Sequence, residues 1–560
     1  MNELRKNKTR IPRKGLFLFG AFLFAAGIAG VLWHFLSQPT AKLAQIFPAS
    51  TSMFIEFSLD DTSLTRWKET FIETDISTSV EDILAQYLPR ATTENVTPWI
   101  GKRAGMALLP NNEFIFAARY RNRTKAELFL TQLTLPDESL VEQTEHDITV
   151  ETPAFSSPLA FKFVDSWLLI GSSVESLTVA LSEIPIAANP HYIECAQDFP
   201  LQADIIAFAK SSDLLNAEFL GEKYVAQEPL LRALAETIPA MGLTLNFERD
   251  RTLLDAKFVT ADSVFSAEQL SNTPHELLPQ MAQFSPRDTL FFMNGNDLYS
   301  KFIHTRNFLS ELHPQFSVVF DGLLRAEFRR IFGAEFNFEE DFLSQMHNQY
   351  ALIFDFEDAT SPTPHFTLIT GFGGADMEKN AQTLHHVIRS AQSQVATEIV
   401  EKTLADESVR EELVAIDPRA VEIRKKTENE RTYFTATSPS NNTATSTRKF
   451  SYGFMDGQLI FSSHERGVAN VMRAFSTENS NLAQNEDFRQ SVLFDFASAE
   501  SFGYVNFNKL RALLDFSQLL IVGDEQSTSW SSLLQPFRNF SFSRKSSPHA
   551  TYFSGVLRRR

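Results

Sequence analysis

Ser446-Thr447-Arg448-Lys449 has the S-x-x-K spacing of a serine nucleophile activated by a lysine. That chemistry needs a desolvated lysine one helical turn from the hydroxyl. Here the four residues fall at the end of a Ser/Thr/Asn run, Thr435 to Thr447, which has no apolar face and reads as a mobile loop. His275-Glu276 opens like a zinc-protease motif, but Pro279 stands where the second histidine belongs. His385 and His386 are neighbours on an expected helix and face different directions, whereas a metal pair wants a spacing of three or four. The run TGFGGAD, residues 370–376, could aim backbone amides at an anion. It lacks the lysine and spacing of a phosphate loop and reads as a strand-to-helix turn. Cys195 is the single cysteine, which excludes an internal disulfide framework and any cysteine-built metal site. No G-x-x-x-x-G-K-[ST], H-E-x-x-H, G-x-S-x-G or EF-hand loop occurs. The sequence therefore assigns no catalytic, cofactor-binding or metal-binding residue, and no cofactor.

The elements that would position such residues begin with an apolar stretch. Residues 1–14 carry six basic side chains (Arg5, Lys6, Lys8, Arg10, Arg13, Lys14) and one acid, Glu3. From Gly15 to Leu36 there is no Asp, Glu, Lys or Arg, and Trp33 and His34 stand near the outer end. At 1.5 Å per residue, a helix of this length spans about 33 Å, enough to cross a hydrocarbon core. The basic flank predicts an uncleaved single-pass anchor with a cytoplasmic N-terminus and residues 37–560 extracytoplasmic, at a bacterial inner membrane. The formal net charge of −18 then divides into 6 − 1 = +5 for the tail and −18 − 5 = −23 for the remainder. So acidic a remainder argues against nucleic-acid binding, which needs a concentrated Lys/Arg face. The terminal Arg558-Arg559-Arg560 reads as a frayed, solvated end.

Collinear similarity divides the rest of the chain. AQIFPASTSMF (44–54) matches AQFSPRDTLFF (282–292) at an offset of 286 − 48 = 238. FKFVDSWLLIGSS (161–173) matches YGFMDGQLIFSSH (452–464) at 456 − 165 = 291, pairing Asp165 with Asp456 and Ser172 with Ser463. Each of these reads as a strand, a tight turn opened by Asp, and a returning strand, with an amphipathic helix after it. Further on, Asp198-Phe199 aligns with Asp487-Phe488, and IIAFAKSSDLL (205–215) with SFGYVNFNKLR (501–511). The offset grows by 291 − 238 = 53 residues, which predicts an insertion in the second copy containing a long helix over Asp376 to Ala415. The expected architecture is α+β: an N-terminal transmembrane helix followed by two tandem repeats of an antiparallel-sheet-plus-helices domain. Its boundaries are a basic cytoplasmic tail at 1–14, the transmembrane helix at 15–36, a linker at 37–43, a first repeat at 44–262, a linker at 263–281, and a second repeat at 282–560 with the insertion at about 376–447.

The opening FPASTSMFIEFSLDD, residues 47–61, placed just after a basic tail and one apolar stretch, resembles bacterial membrane proteins of the domain of unknown function 3352 family. SPRDTLFFMNGNDL (285–298) is a more degenerate version without the alanine after Pro286. The resemblance implies export and anchoring. It carries no activity or catalytic residues to particular positions.

The expectation for function is a non-enzymatic binding or scaffold module in the cell envelope, with the membrane as partner through residues 15–36 and an unidentified envelope protein or ligand as a second. Two alternatives stand beside it: an envelope (cell-wall) hydrolase with an unfamiliar site, and a carrier or sensor of apolar ligands. The last draws on 52 phenylalanines, including the run Phe316 to Phe336, most of which should fill cores.

Overall fold

A computed structural model describes residues 43–71, 98–133, 143–144, 147–150, 159–196, 199, 203–214, 228–261, 279–312, 317–318, 322, 337, 339–340, 343–356, 364–372, 379–382, 384–386, 388, 397–403, 408–415, 422–439, 447–477, 479–491, 499–520, 534–547 and 549–560. The chain divides into two units: Met1–Ser266 with Thr528–Phe537 and Ser546–Arg560, and Ala267–Ser527 with Arg538–Lys545.

Unit 1 is built on strands β1 (Met53–Ser58), β2 (Ile100–Leu108), β3 (Phe114–Tyr120), β4 (Gln143–Thr144), β5 (Asp147–Val150), β6 (Leu159–Val164), β7 (Trp167–Gly171), β8 (Ile205–Lys210), β9 (Ala240–Phe247) and β10 (Arg251–Val259). Every pairing is antiparallel, in the order β4-β5-β6-β7-β3-β2-β1-β8-β9-β10. β1 lies in the middle, with Phe54 opposite both Ala107 and Phe208. Both its faces are covered, so it reads as a nearly unbroken apolar run, MFIEFS, and not as an alternation. The one charge in it, Glu56, is buried and paired with Arg103 at 3.1 Å. The core of the unit joins Phe47, Phe54, Ile115, Leu169, Leu177 and Phe208.

Unit 2 uses β11 (Phe291–Asn296), β12 (Met346–Phe356), β13 (Pro364–Phe372), β16 (Glu422–Glu428), β17 (Arg431–Pro439), β18 (Thr447–Met455), β19 (Gln458–Ser462), β20 (Ser501–Asn506) and β21 (Phe537–Ser546), with β14 (Thr397–Thr403) and β15 (Val409–Ala415) as a separate pair. Its order is β16-β17-β18-β19-β13-β12-β11-β20-β21, again all antiparallel. β11 is central, with Phe292 opposite Ile353 and Tyr504. These nine strands follow the order of the first nine in unit 1, from β4 to β9. The edge strand β16, EIRKKTE, is charged and exposed, a common guard against edge-to-edge association. The final strand, β22 (Ala550–Arg559), pairs with β10 and belongs to unit 1.

The expected fold class needs correcting. Helices are few among the described residues, and antiparallel sheet dominates, so a balanced sheet-plus-helices α+β domain is not what forms. Nor is any helix of the described residues long and apolar enough to cross a membrane; residues 15–36 lie outside them. The helix expected over Asp376 to Ala415 is overturned in its second half, where β14 and β15 pair from Thr397↔Ala415 to Thr403↔Val409. Glu and Lys suggested helix there, but Val and Thr recur through the segment, and β-branched side chains fit a pleated strand better than a helix. The loop expected from Thr435 to Thr447 is strand at both ends: β17 runs to Pro439, which lies opposite Thr447 of β18. Residues 440–446 lie outside the described residues.

Candidate functional site

A set of buried and half-buried polar side chains in unit 1 lies where β1 ends and the helix Asp61–Phe71 begins. β1 and β8 run side by side to Phe57↔Ile205, and the Ser58 N–H continues the ladder by donating to the Asp204 carbonyl at 2.7 Å. That brings Asp60, Ser58, Ser63 and Asp204 together. Asp60 accepts from the Ser63 N–H at 2.9 Å through Oδ1 and from the Ser58 hydroxyl at 2.9 Å through Oδ2. Asp204 accepts from the Ser63 hydroxyl through Oδ1 and from the Phe247 N–H at 2.6 Å through Oδ2. Burial drives the Asp204 carboxyl above its usual range, against the lowering effect of Ser63 and Phe247. At Asp60 burial also pushes upward, but the bonds from Ser63, Ser58 and Thr62 outweigh it and the net direction is down.

Two carboxyl groups held apart in this way resemble an acid–base pair. Their hydrogen bonds say otherwise: each of the four carboxylate oxygens already accepts from the protein. Unit 2 supplies the comparison. Asp297 caps its helix, Leu298–Leu312, by accepting from the Ser300 N–H at 3.0 Å and the Ser300 hydroxyl at 2.5 Å. Glu500, just before β20, takes Lys301 at 2.7 Å. The cluster is a helix cap tied to a neighbouring strand, built once in each unit.

The other motifs fall as follows. Asp165 and Asp456 both stand at φ 50, in the turns between β6 and β7 and between β18 and β19. Asp tolerates this left-handed region better than most side chains, so the recurrence belongs to the turn. Ser172 accepts from the Phe114 N–H at 3.1 Å, and Ser463 from the Phe366 N–H at 3.0 Å. Cys195 is buried, and desolvation pushes its thiol up to about 12, which removes it as a nucleophile. Lys449 sits in β18, paired with Glu465 at 2.9 Å, and Ser446 lies outside the described residues. His385 packs edge-on against Phe434, with ring centroids 4.4 Å apart. Thr370, Gly371 and Phe372 end β13, while residues 373–378 lie outside the described residues, as do His275 and Glu276. Most of Phe316 to Phe336 lies outside them as well. Arg558 and Arg559 are in β22, and the Arg559 N–H donates to the Asp250 carbonyl at 2.9 Å, so the chain end is anchored and not frayed. Among the described residues, no group of three His, Cys, Asp or Glu side chains is placed to hold a metal ion.

Two repeated features escape the sequence comparison. Asn189 accepts from the His191 N–H at 3.0 Å and donates to the Ala49 carbonyl at 3.2 Å. Asn485 accepts from the Asp487 N–H at 2.9 Å and donates to the Arg287 carbonyl at 3.0 Å. Each asparagine thus caps a short helix and clamps the turn after Pro48 or Pro286. One turn further on, Tyr192 packs against Phe54 and Phe208, and Phe488 against Phe292 and Tyr504. The structural partner of Phe488 is therefore Tyr192, and the aligned Phe199 is not; Asp198 lies outside the described residues. A repeated Asn, offset by 485 − 189 = 296, was the available signal.

These observations define a protein of two units that repeat one antiparallel strand order, in which the polar groups found together serve turns and caps. The chain belongs to the family described as protein of unknown function (DUF3352), whose model matches residues 17–557. Among solved structures, crystal form I of TP0453 is 11% identical, covers 44% of this chain and 85% of its own, and gives a TM-score of 0.24. Crystal form III of TP0453 is 8% identical, with 41% and 84% covered and a TM-score of 0.22. No curated protein matches the chain.

Proposed function

We propose that the chain is a non-enzymatic binding or scaffold module of the bacterial cell envelope, directed to the cytoplasmic membrane by residues 15–36, with residues 37–560 on the outer side. The observation that carries this reading is the use of its reactive-looking groups. Asp60, Asp204, Ser63, Ser172 and Asn189 are engaged in bonds that hold unit 1, and their counterparts in unit 2 are also engaged, Glu500 by an ion pair with Lys301 where Asp204 accepts from Ser63 and Phe247. A hydrolase would need at least two such groups aimed at a shared reacting atom. The basic tail ahead of a long uncharged stretch supports the location.

Two measurements test it. Alkaline phosphatase fused after Arg560 should be active in cells, and an inactive fusion with normal expression contradicts the location. The full chain should leave peptidoglycan, ester and phosphodiester substrates intact. Hydrolysis that disappears in Asp204→Asn would overturn the non-enzymatic reading.

A further inference from the structure

Four of the eight large hydrophobic side chains exposed among the described residues fall between Val174 and Ile193: Val174 at 52%, Leu181 at 42%, Ile184 at 66% and Ile193 at 50%. The chain gathers the last two around Ala49. The Ala49 N–H donates to the Ile184 carbonyl at 2.8 Å, its carbonyl accepts from Asn189 at 3.2 Å, and the Ile193 N–H donates to the Asn189 carbonyl at 2.9 Å. Leu181 lies one turn before Ile184, at the end of the helix Val174–Ser182.

Unit 2 serves as an internal control. Its helix Gly467–Ser476 follows the equivalent hairpin at the offset of 291. There Leu181 is replaced by Met472, which is fully buried. Ile184, whose carbonyl accepts from the Ala49 N–H, is replaced by the polar Ser480, whose carbonyl accepts from the Arg287 N–H at 2.9 Å. Ile193, at the offset of 296 set by the two asparagines, is replaced by the charged Arg489. The fold therefore does not require exposed aliphatic side chains at these places. Unit 1 alone keeps them, and an apolar group this concentrated marks a contact surface.

Where the chain enters the unit says what the contact is. The uncharged stretch ends at Leu36, and Leu43 is fully buried in unit 1. Seven residue steps reach at most about 25 Å. The turn Leu43–Gln45 packs against the turn Ile186–Ala188, and the Ile186 N–H donates to the Phe47 carbonyl at 2.7 Å. The apolar group is thus tethered within a short reach of whatever residues 15–36 enter.

We propose that Leu181, Ile184 and Ile193 rest in the headgroup layer of the membrane beside residues 15–36, making unit 1 a surface-docked and not a free-hanging module. The inference rests on the membrane location proposed above. Interfacial apolar faces sink about 5–10 Å into this layer. Glu175, Glu183 and Glu194 lie next to Val174, Ile184 and Ile193 in the chain, against one lysine, Lys210, which reaches the Ala49 carbonyl at 2.7 Å. The net charge of these groups is negative, so the surface the apolar group suits is zwitterionic lipid, and anionic lipid should repel it.

The test uses the full chain in phosphatidylcholine vesicles with brominated acyl chains. Because Cys195 is buried and unreactive, a fluorophore can be placed selectively on Ile184→Cys, on Ile193→Cys, or on Val409→Cys, an exposed position of β15. Lipid quenching at residues 184 and 193 should be roughly threefold that at 409, as expected for side chains below the headgroups. It should weaken in vesicles rich in phosphatidylglycerol. It should also fall to the level of 409 when Leu181→Glu accompanies the label, a surface change that leaves the core intact. Equal quenching at all three positions in chain that floats with the vesicles overturns the docking alone. Failure of the chain to float overturns the membrane location, and the docking with it.

Discussion

At Asp204 a carboxyl group is held by one hydroxyl and one backbone N–H in a nearly dry place. Its folded pKa is raised, so the folded chain binds this proton more tightly than the unfolded one. The resulting stability is fully present below the ordinary aspartate value and is lost as pH rises through the folded value. Asp60 has the opposite sign: its contribution is present above the ordinary value and is lost as pH falls through its lowered one. Asp204→Asn removes the first effect only. As pH rises above the ordinary aspartate value of about 3.9, its urea midpoint should fall less, or rise more, than that of the wild type. Identical pH profiles would contradict the assignment. Cys195 gives a second expectation at this scale. Its thiol should be inert to a thiol-reactive dye in the folded chain and should react fully once urea unfolds unit 1. Reaction in native buffer at the rate of a free thiol would show that it is not buried.

The two hairpins, β6–β7 and β18–β19, hold an element-scale expectation. Asp165 and Asp456 occupy left-handed backbone positions, where a β-branched side chain costs about 1–2 kcal/mol. Asp165→Val should lower stability by about that much while Asp165→Gly stays near wild type; equal effects of the two would mean the backbone conformation is not the constraint. These turns were legible in the sequence because a left-handed residue is a local demand that Asp and Gly announce. The prolines before β1 and β11 were legible for a similar reason, each opening a turn that carries an isolated bridge, Pro48↔Pro185 and Pro286↔Asn481. What local chemistry does not determine was misread. The charged segments 397–403 and 409–415 pair as strands because each has the other as partner and their Val and Thr suit a pleat, which the Glu and Lys between them obscure. Tyr192 and Phe488 fill the same place against different partners, and only the register of the neighbouring strands shows that Phe199 does not correspond. At the candidate site, Asp60 and Asp204 are 144 residues apart, since 204 − 60 = 144. No spacing rule could have joined them before β1 and β8 were known to pair.

On the scale of the whole molecule, both units place one strand, β1 or β11, inside an antiparallel ladder and pin it with a proline turn, a helix cap and an asparagine clamp. Unit 1 is completed by β22, the last strand of the chain, laid along β10 from Arg251↔Arg558 to Val259↔Ala550. Removing residues 549–560 should therefore expose β10. Hydrogen exchange should speed up over residues 251–259 and leave β11, residues 291–296, unchanged. Unchanged protection of β10 would mean that β22 contributes little to unit 1.

Hydrogen exchange on the asparagine clamps tests most directly the proposal that these polar side chains serve the fold of each unit. Asn189→Ala removes a cap of about 1 kcal/mol. In the full chain it should speed exchange around Pro48 and over Pro190–Ala196 without touching residues 279–296 or 482–491. Asn485→Ala should do the reverse. Protection unchanged by either substitution would contradict the proposal and reopen the asparagines as functional groups.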